Sequence, residues 1–131
     1  MAVPVSRALV EGVAGPIEVS ATNPEGARAI AVIAHPHPLF GGTMDNKVVT
    51  TLAKAFTDAG MATYRFNFRG VGKTGGAHDE GRGEAEDFVR VAEHALATSG
   101  RLPLYLAGFS FGGAVATRAS EGLDFHELVL V

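Results

Sequence analysis

A serine set among glycines, Gly108-Phe109-Ser110-Phe111-Gly112, is the side chain of this chain best placed to do chemistry. The apolar run Pro103–Ala107 before it reads as a buried strand, and the small-residue run Phe111–Ser120 after it reads as a helix. The pattern G-x-S-x-G at a strand-to-helix junction is that of a nucleophile elbow: a sharp turn holds the serine in a strained backbone conformation and leaves its hydroxyl exposed. The next amide, that of Phe111, then lies at the amino end of a helix, where developing negative charge is favoured. Side chains at positions 108 and 112 would collide as strand and helix approach, and Gly113 is expected to let the helix lie close to the sheet. Serine also caps helices often. The strand-turn-helix order favours the nucleophile.

Two other stretches invite a chemical reading. His35 and His37 lie two apart in "AHPHPLFGG" and could face a metal together, but no further ligand cluster accompanies them, so neither metal nor organic cofactor is expected. A structural hydrogen bond within the loop is the better account of His35. "RGVGKTGG", Arg69–Gly76, resembles the end of a phosphate-binding loop, yet the place of its first glycine holds Asn67, and no helix begins directly after Thr74. A glycine-rich turn beside a substrate pocket, with Arg69 tying it to neighbouring carbonyls or carboxylates, fits better.

These groups need a scaffold, and the hydrophobic pattern supplies one. Val5–Val10 and Ile17–Ala21 alternate as antiparallel edge strands around "EGVAG". Ala29–Ala34 is an unbroken apolar run, as in a strand covered on both faces. A helix follows, with Asp45 as cap, Gly60 as stop and a buried stripe of Val48, Leu52, Ala55, Phe56 and Ala59. Met61–Phe68 is the next strand. A second helix buries Phe88, Val91, Ala92, Ala95 and Leu96, with Glu84, Glu86 and Asp87 in its first turn, where the helix dipole is sufficient reason for them. Strand and helix alternate three times, which predicts an α/β fold: a mostly parallel sheet with helices on both faces. Residues 1–131 read as a single domain. The chain closes inside the apolar run Glu127–Val131 with no helix to cover it, so it is expected to be the front part of a longer domain, truncated after the sixth strand.

Composition narrows the class. The formal net charge is -3, and the 11 basic residues are scattered, so neither nucleic acid nor a membrane surface is an expected partner. No run approaches a bilayer span, and no basic-then-apolar leader opens the chain. The lack of cysteine excludes thiolate chemistry and suits the cytoplasm.

Taken together, "AHPHPLFGGTMDNKVV", "YRFNFRGVGKTGG" and "GFSFGG", in this order and spacing from Ile30 to Ser120, resemble the α/β-hydrolase superfamily. The likeness is to its small, lid-poor bacterial members related to dienelactone hydrolase and to the catalytic domains of Xaa-Pro peptidases. The resemblance implies that the loop after the first buried parallel strand supplies a second oxyanion donor. His35-Pro36 stands where the family has a His-Gly pair, and proline has no N–H. Position favours the amide of His37, with Leu39 next. It also implies a triad in chain order serine, acid, histidine. Asp124 and His126 lie at the amino end of the last strand, the wrong edge for Ser110, and read as solvated loop residues. His78 and His94 have no orienting context and read as surface residues. The acid and histidine are therefore expected in a further ~70 to 100 residues, the size of two or more strand-helix units. The implied activity is hydrolysis of a small-molecule ester, thioester or amide through an acyl-enzyme on Ser110. The alternative is a non-catalytic binding module of the same fold.

Overall fold

The computed structural model describes residues 3–131. Its elements run β1 (Val5–Glu11), β2 (Pro16–Thr22), β3 (Ala29–Ala34), a one-turn 3-10 helix (Pro38–Phe40), α1 (Lys47–Asp58), β4 (Met61–Phe66), α2 (Arg82–Ser99), β5 (Leu104–Gly108), α3 (Phe111–Ser120) and β6 (Glu127–Leu130). They build a six-stranded sheet in the order β1-β2-β4-β3-β5-β6. β1 and β2 pair antiparallel, β2 joins β4 antiparallel, and β4, β3, β5 and β6 are parallel. Only β1 of the expected edge pair is an edge; β2 is paired on both sides.

Burial follows the two-residue period of a strand. Ile30, Val32 and Ala34 of β3 join Leu104 and Leu106 of β5 in the main core, beneath Phe88, Val91, Ala92 and Ala95 of α2 and Val115, Ala116 and Ala119 of α3. Ile33 and Ala107 point the other way, against Val49 and Ala53 of α1. Hence α1 covers one face of the sheet and α2 with α3 the other. Every residue of β3 is buried, which is why its sequence shows no alternation.

The details of α1 depart from expectation. Asn46, not Asp45, is the cap: its Oδ1 accepts from the Val48 and Val49 amides at 2.9 and 3.3 Å. Asp45 instead meets Arg65, Oδ1 to Nη1 at 3.2 Å. The buried stripe is shifted to Val49, Leu52, Ala53 and Phe56, leaving Ala55 and Ala59 exposed. Val48 and Val49 offer two apolar starts one residue apart, and packing against Ile33 selects the second. β4 ends at Phe66: Asn67 still donates its backbone N–H to Glu18 O while its Oδ1 accepts from the Met44 amide, and Phe68 donates its N–H to His35 Nε2 at 3.0 Å.

Candidate active site

At the carboxyl end of β5 the chain makes the corner that the glycines foreshadow. Ser110 has φ 57° and ψ -121°, a region few residues other than glycine enter. Strand pairing on both sides runs up to it: Phe109 donates to Ala34 O at 3.2 Å, Ser110 to Val131 O at 3.1 Å, and Val131 to Gly108 O at 3.1 Å. Gly112 and Gly113 then donate to the carbonyls of Phe109 and Ser110, closing the first turn of α3. A Cβ on Gly108 would overlap the Gly112 carbonyl, and one on Gly112 would come within 2.5 Å of His35 O. Gly113 is different. A Cβ there would stand 3.4 Å from Leu130 Cδ2, an ordinary contact, so close helix-to-sheet approach does not require glycine at this position.

Ser110 is exposed, and its side chain makes no capping hydrogen bond to α3. The Phe111 amide, at the head of α3, has no backbone or side-chain acceptor among the described residues. An unpaired N–H and an exposed, uncapping serine thus sit on consecutive residues at a helix amino terminus.

The loop after β3 contributes the other sequence-predicted groups. His35 is fully buried. Its Nε2 accepts from the Phe68 amide, so Nδ1 carries the proton and donates to Pro36 O at 2.7 Å. Burial holds its pKa down from 6.5 to about 4, against the opposing influence of the Pro36 carbonyl and Glu84, so the ring is neutral. It is a structural ring that joins two loops. Beyond it, His37 caps the 3-10 turn: its Nδ1 accepts from the Leu39 amide at 3.1 Å, and its carbonyl accepts from Phe40 and Gly42. The Leu39 N–H is therefore spent inside the loop. That of His37 has no acceptor among the described residues. Gly42 is required for this fold-back, since a Cβ there would overlap Pro36 O and lie 2.5 Å from His37 O.

The loop between β4 and α2 holds what the sequence did not disclose. Of the three acids expected in the first turn of α2 only Glu84 lies there, since the helix begins at Arg82; Glu84 and Asp87 are buried, so the helix dipole is not a sufficient reason for them. Glu84 Oε1 accepts from the Gly81 amide at 2.9 Å and Oε2 from Asp79 at 3.0 Å, so the carboxylate ties down the approach to α2. Asp87 receives the Arg69 guanidinium on both oxygens, at 3.2 and 3.4 Å. Burial pushes the Asp87 carboxyl up, while Arg69 pulls it down. His78 is exposed, as expected, but it is not isolated. Its Nδ1 lies 3.5 Å from Glu84 Oε2, and its ring lies 4.8 Å from that of His37 and 5.8 Å from that of Phe111. The spacing of Gly81 and Glu84 is a readable capping signal; no local pattern marks His78.

The glycine-rich turn already contains an anion. Glu18 Oε1 of β2 accepts from the Lys73 amide at 2.8 Å and from Asn67 Nδ2 at 2.9 Å, and the Lys73 hydrogen bond is the main reason its pKa is lowered. Thr74, buried, accepts from the Glu18 amide, while the Gly75 amide donates to Pro16 O. The amides of Gly70, Val71, Lys73, Thr74 and Gly75 are thus engaged within the protein. Asp124 and His126 are exposed, and Glu127 beside them pairs with Tyr105, at the opposite end of β5 from Ser110. His94 packs edge-on against Tyr64, 6.1 Å between ring centres. No described helix is long and apolar enough to cross a membrane.

Known proteins place this architecture. A family model described as serine aminopeptidase, S33, matches residues 26–129. An α/β serine hydrolase without lid from Xanthomonas campestris superposes with a TM-score of 0.91 at 37% identity, over 99% of this chain and 62% of that one. An α/β serine hydrolase homologue from Coxiella burnetii gives 0.89 at 43% identity, over 95% and 61%. An uncharacterized Rickettsia prowazekii protein is 41% identical over 88 residues, 66% of this chain and 37% of its own. The chain thus spans about three fifths of the length of these solved structures. With an S33 match across most of its length and the corner at Ser110 in place, the chain belongs to the serine aminopeptidase S33 family, of α/β-hydrolase fold.

Proposed function

We propose that the full-length protein is a serine hydrolase that cleaves an ester, thioester or amide of a small molecule through an acyl-enzyme on Ser110. The observation that carries this reading is the positive φ of Ser110, 57°, in an exposed residue at the head of α3. Strain of this kind costs on the order of 1–3 kcal/mol and persists where the surroundings enforce it. The glycines at 108 and 112 make room for it.

In this mechanism Ser110 Oγ attacks the carbonyl carbon and gives its proton to a base. The carbonyl oxygen becomes an oxyanion between the unpaired amides of Phe111 and His37; Leu39 is the poorer second donor, its N–H being held by His37. Collapse expels the alkoxide, thiolate or amine, which takes up the proton. Water then attacks the acyl-serine and releases the acid. Ser110 meets no histidine among the described residues, and the solved relatives are longer than the matched region. We place the base and its orienting acid in that further part of the fold. A cytoplasmic setting suits a chain without cysteine.

The second reading is a non-catalytic binding module of the same fold. A fluorophosphonate probe separates them. Under the hydrolase reading the full-length protein is labelled and Ser110→Ala is not; an unlabelled, folded wild type would leave the binding module standing.

A further inference from the structure

We propose that His78 is a positioning residue, bracing against each other the two loops that carry the oxyanion donors. This inference rests on the serine-hydrolase reading above. The donors come from segments far apart in sequence: His37 follows β3 and Phe111 opens α3. Their amides have no partner of their own to hold them. Their side chains do meet, the ring centres of His37 and Phe111 lying 4.8 Å apart. His78 adds a third ring from a third loop, 4.8 Å from His37 and 5.8 Å from Phe111, so each ring neighbours the other two.

The third ring lies beside a fixed carboxylate. Its Nδ1 lies 3.5 Å from Glu84 Oε2, and Glu84 is fully buried, clamped to the amides of Asp79 and Gly81. The rigid start of α2 thus reaches both donor loops through one imidazole. On the inner side, Phe68 packs on Phe111 at 5.9 Å and on His35 at 4.0 Å, so each donor segment is also backed from the core. Toward solvent, His37 is met by Phe40 at 5.6 Å and by the His78 side chain, 30% exposed, and of these two only His78 also meets Phe111. Without it the outer faces of His37 and Phe111 gain freedom, and a displacement near 1 Å of a group that binds the transition state costs on the order of 100-fold in rate.

The test uses full-length protein and p-nitrophenyl acetate as probe, with His78→Ala and His78→Phe. We expect His78→Ala to lower kcat by about 10- to 100-fold with KM within about twofold, since the donors act on the oxyanion more than on the bound ester. His78→Phe keeps a ring against His37 and Phe111 and should recover most of kcat. The melting temperatures of both variants should stay near that of the wild type. A His78→Ala enzyme with wild-type kcat overturns the inference, as does a His78→Phe enzyme no better than His78→Ala. So does a kcat loss that merely follows a fall in melting temperature. If wild type and Ser110→Ala hydrolyse the probe equally, the hydrolase reading falls as well. A Ser110-dependent enzyme indifferent to His78 sinks only the positioning role.

Discussion

The buried imidazole of His35 makes the donor loop acid-sensitive, and its size can be worked out. The ring is neutral in the folded protein, with a pKa of about 4 in place of 6.5. Between those values the unfolded chain binds a proton that the folded one refuses, so stability is full above pH 6.5 and drains away as pH falls toward 4. Each unit is worth about 1.4 kcal/mol, which makes the total about 3 kcal/mol and the loss between pH 7 and 4.5 about 2 kcal/mol. The perturbation is His35→Gln, which offers an acceptor to the Phe68 amide but does not titrate. At pH 7 it should cost about 1–2 kcal/mol in imperfect hydrogen bonding. Urea unfolding at pH 7 and 4.5 should show the wild type losing about 2 kcal/mol more than the variant, because the carboxylates common to both cancel. Equal losses would refute the argument, as would a His35 imidazole resonance titrating near 6.5. Since His35 lies two residues before His37, the same protonation should loosen the segment that bears the second proposed donor.

Other consequences are cheaper to check. Gly112→Ala should destabilise by about 2 kcal/mol or more, because its Cβ would press on the carbonyls of Ala34 and His35. Gly113→Ala, in open contact with Leu130, should be neutral or stabilise α3 by up to about 1 kcal/mol; chemical denaturation of the pair tests the contrast. Arg69→Met strands Asp87, whose side chain is only 2% exposed, and should cost about 3–5 kcal/mol in the same assay, most of it recovered by adding Asp87→Leu. A loss under 1 kcal/mol would mean that the pair is not the tie described here. Magnesium-ATP at millimolar concentration should leave the melting temperature unchanged, since the Glu18 carboxylate already occupies the glycine-rich turn. A stabilisation by nucleotide would restore the phosphate-loop reading.

Most of the scaffold was legible because its signals are local. Ala29–Ala34 is apolar at every position, and β3 has those bounds. The helix read over Phe111–Ser120 is α3 to the residue. The stripe of α2 was readable for the same reason: Phe88, Val91, Ala92 and Ala95 leave one face to the sheet at any plausible start. In α1 two valines side by side allow two faces, and local pattern does not choose between them.

The corner at Ser110 and the parallel sheet beneath it could be read from residue order alone, because a strand, a glycine-flanked serine and a helix follow one another directly in the chain, even though the carbonyls that exclude a side chain at Gly112 come from the distant Ala34–His35. Which side chains meet across loops was settled by packing. His78 beside His37 and Phe111, Glu84 beneath it, Glu18 within the glycine-rich turn and Asp87 against Arg69 are all contacts between segments far apart in the chain or on different turns. Their energies come from burial and orientation, which exist only once strands and helices have packed, so spacing along the chain carries no trace of them.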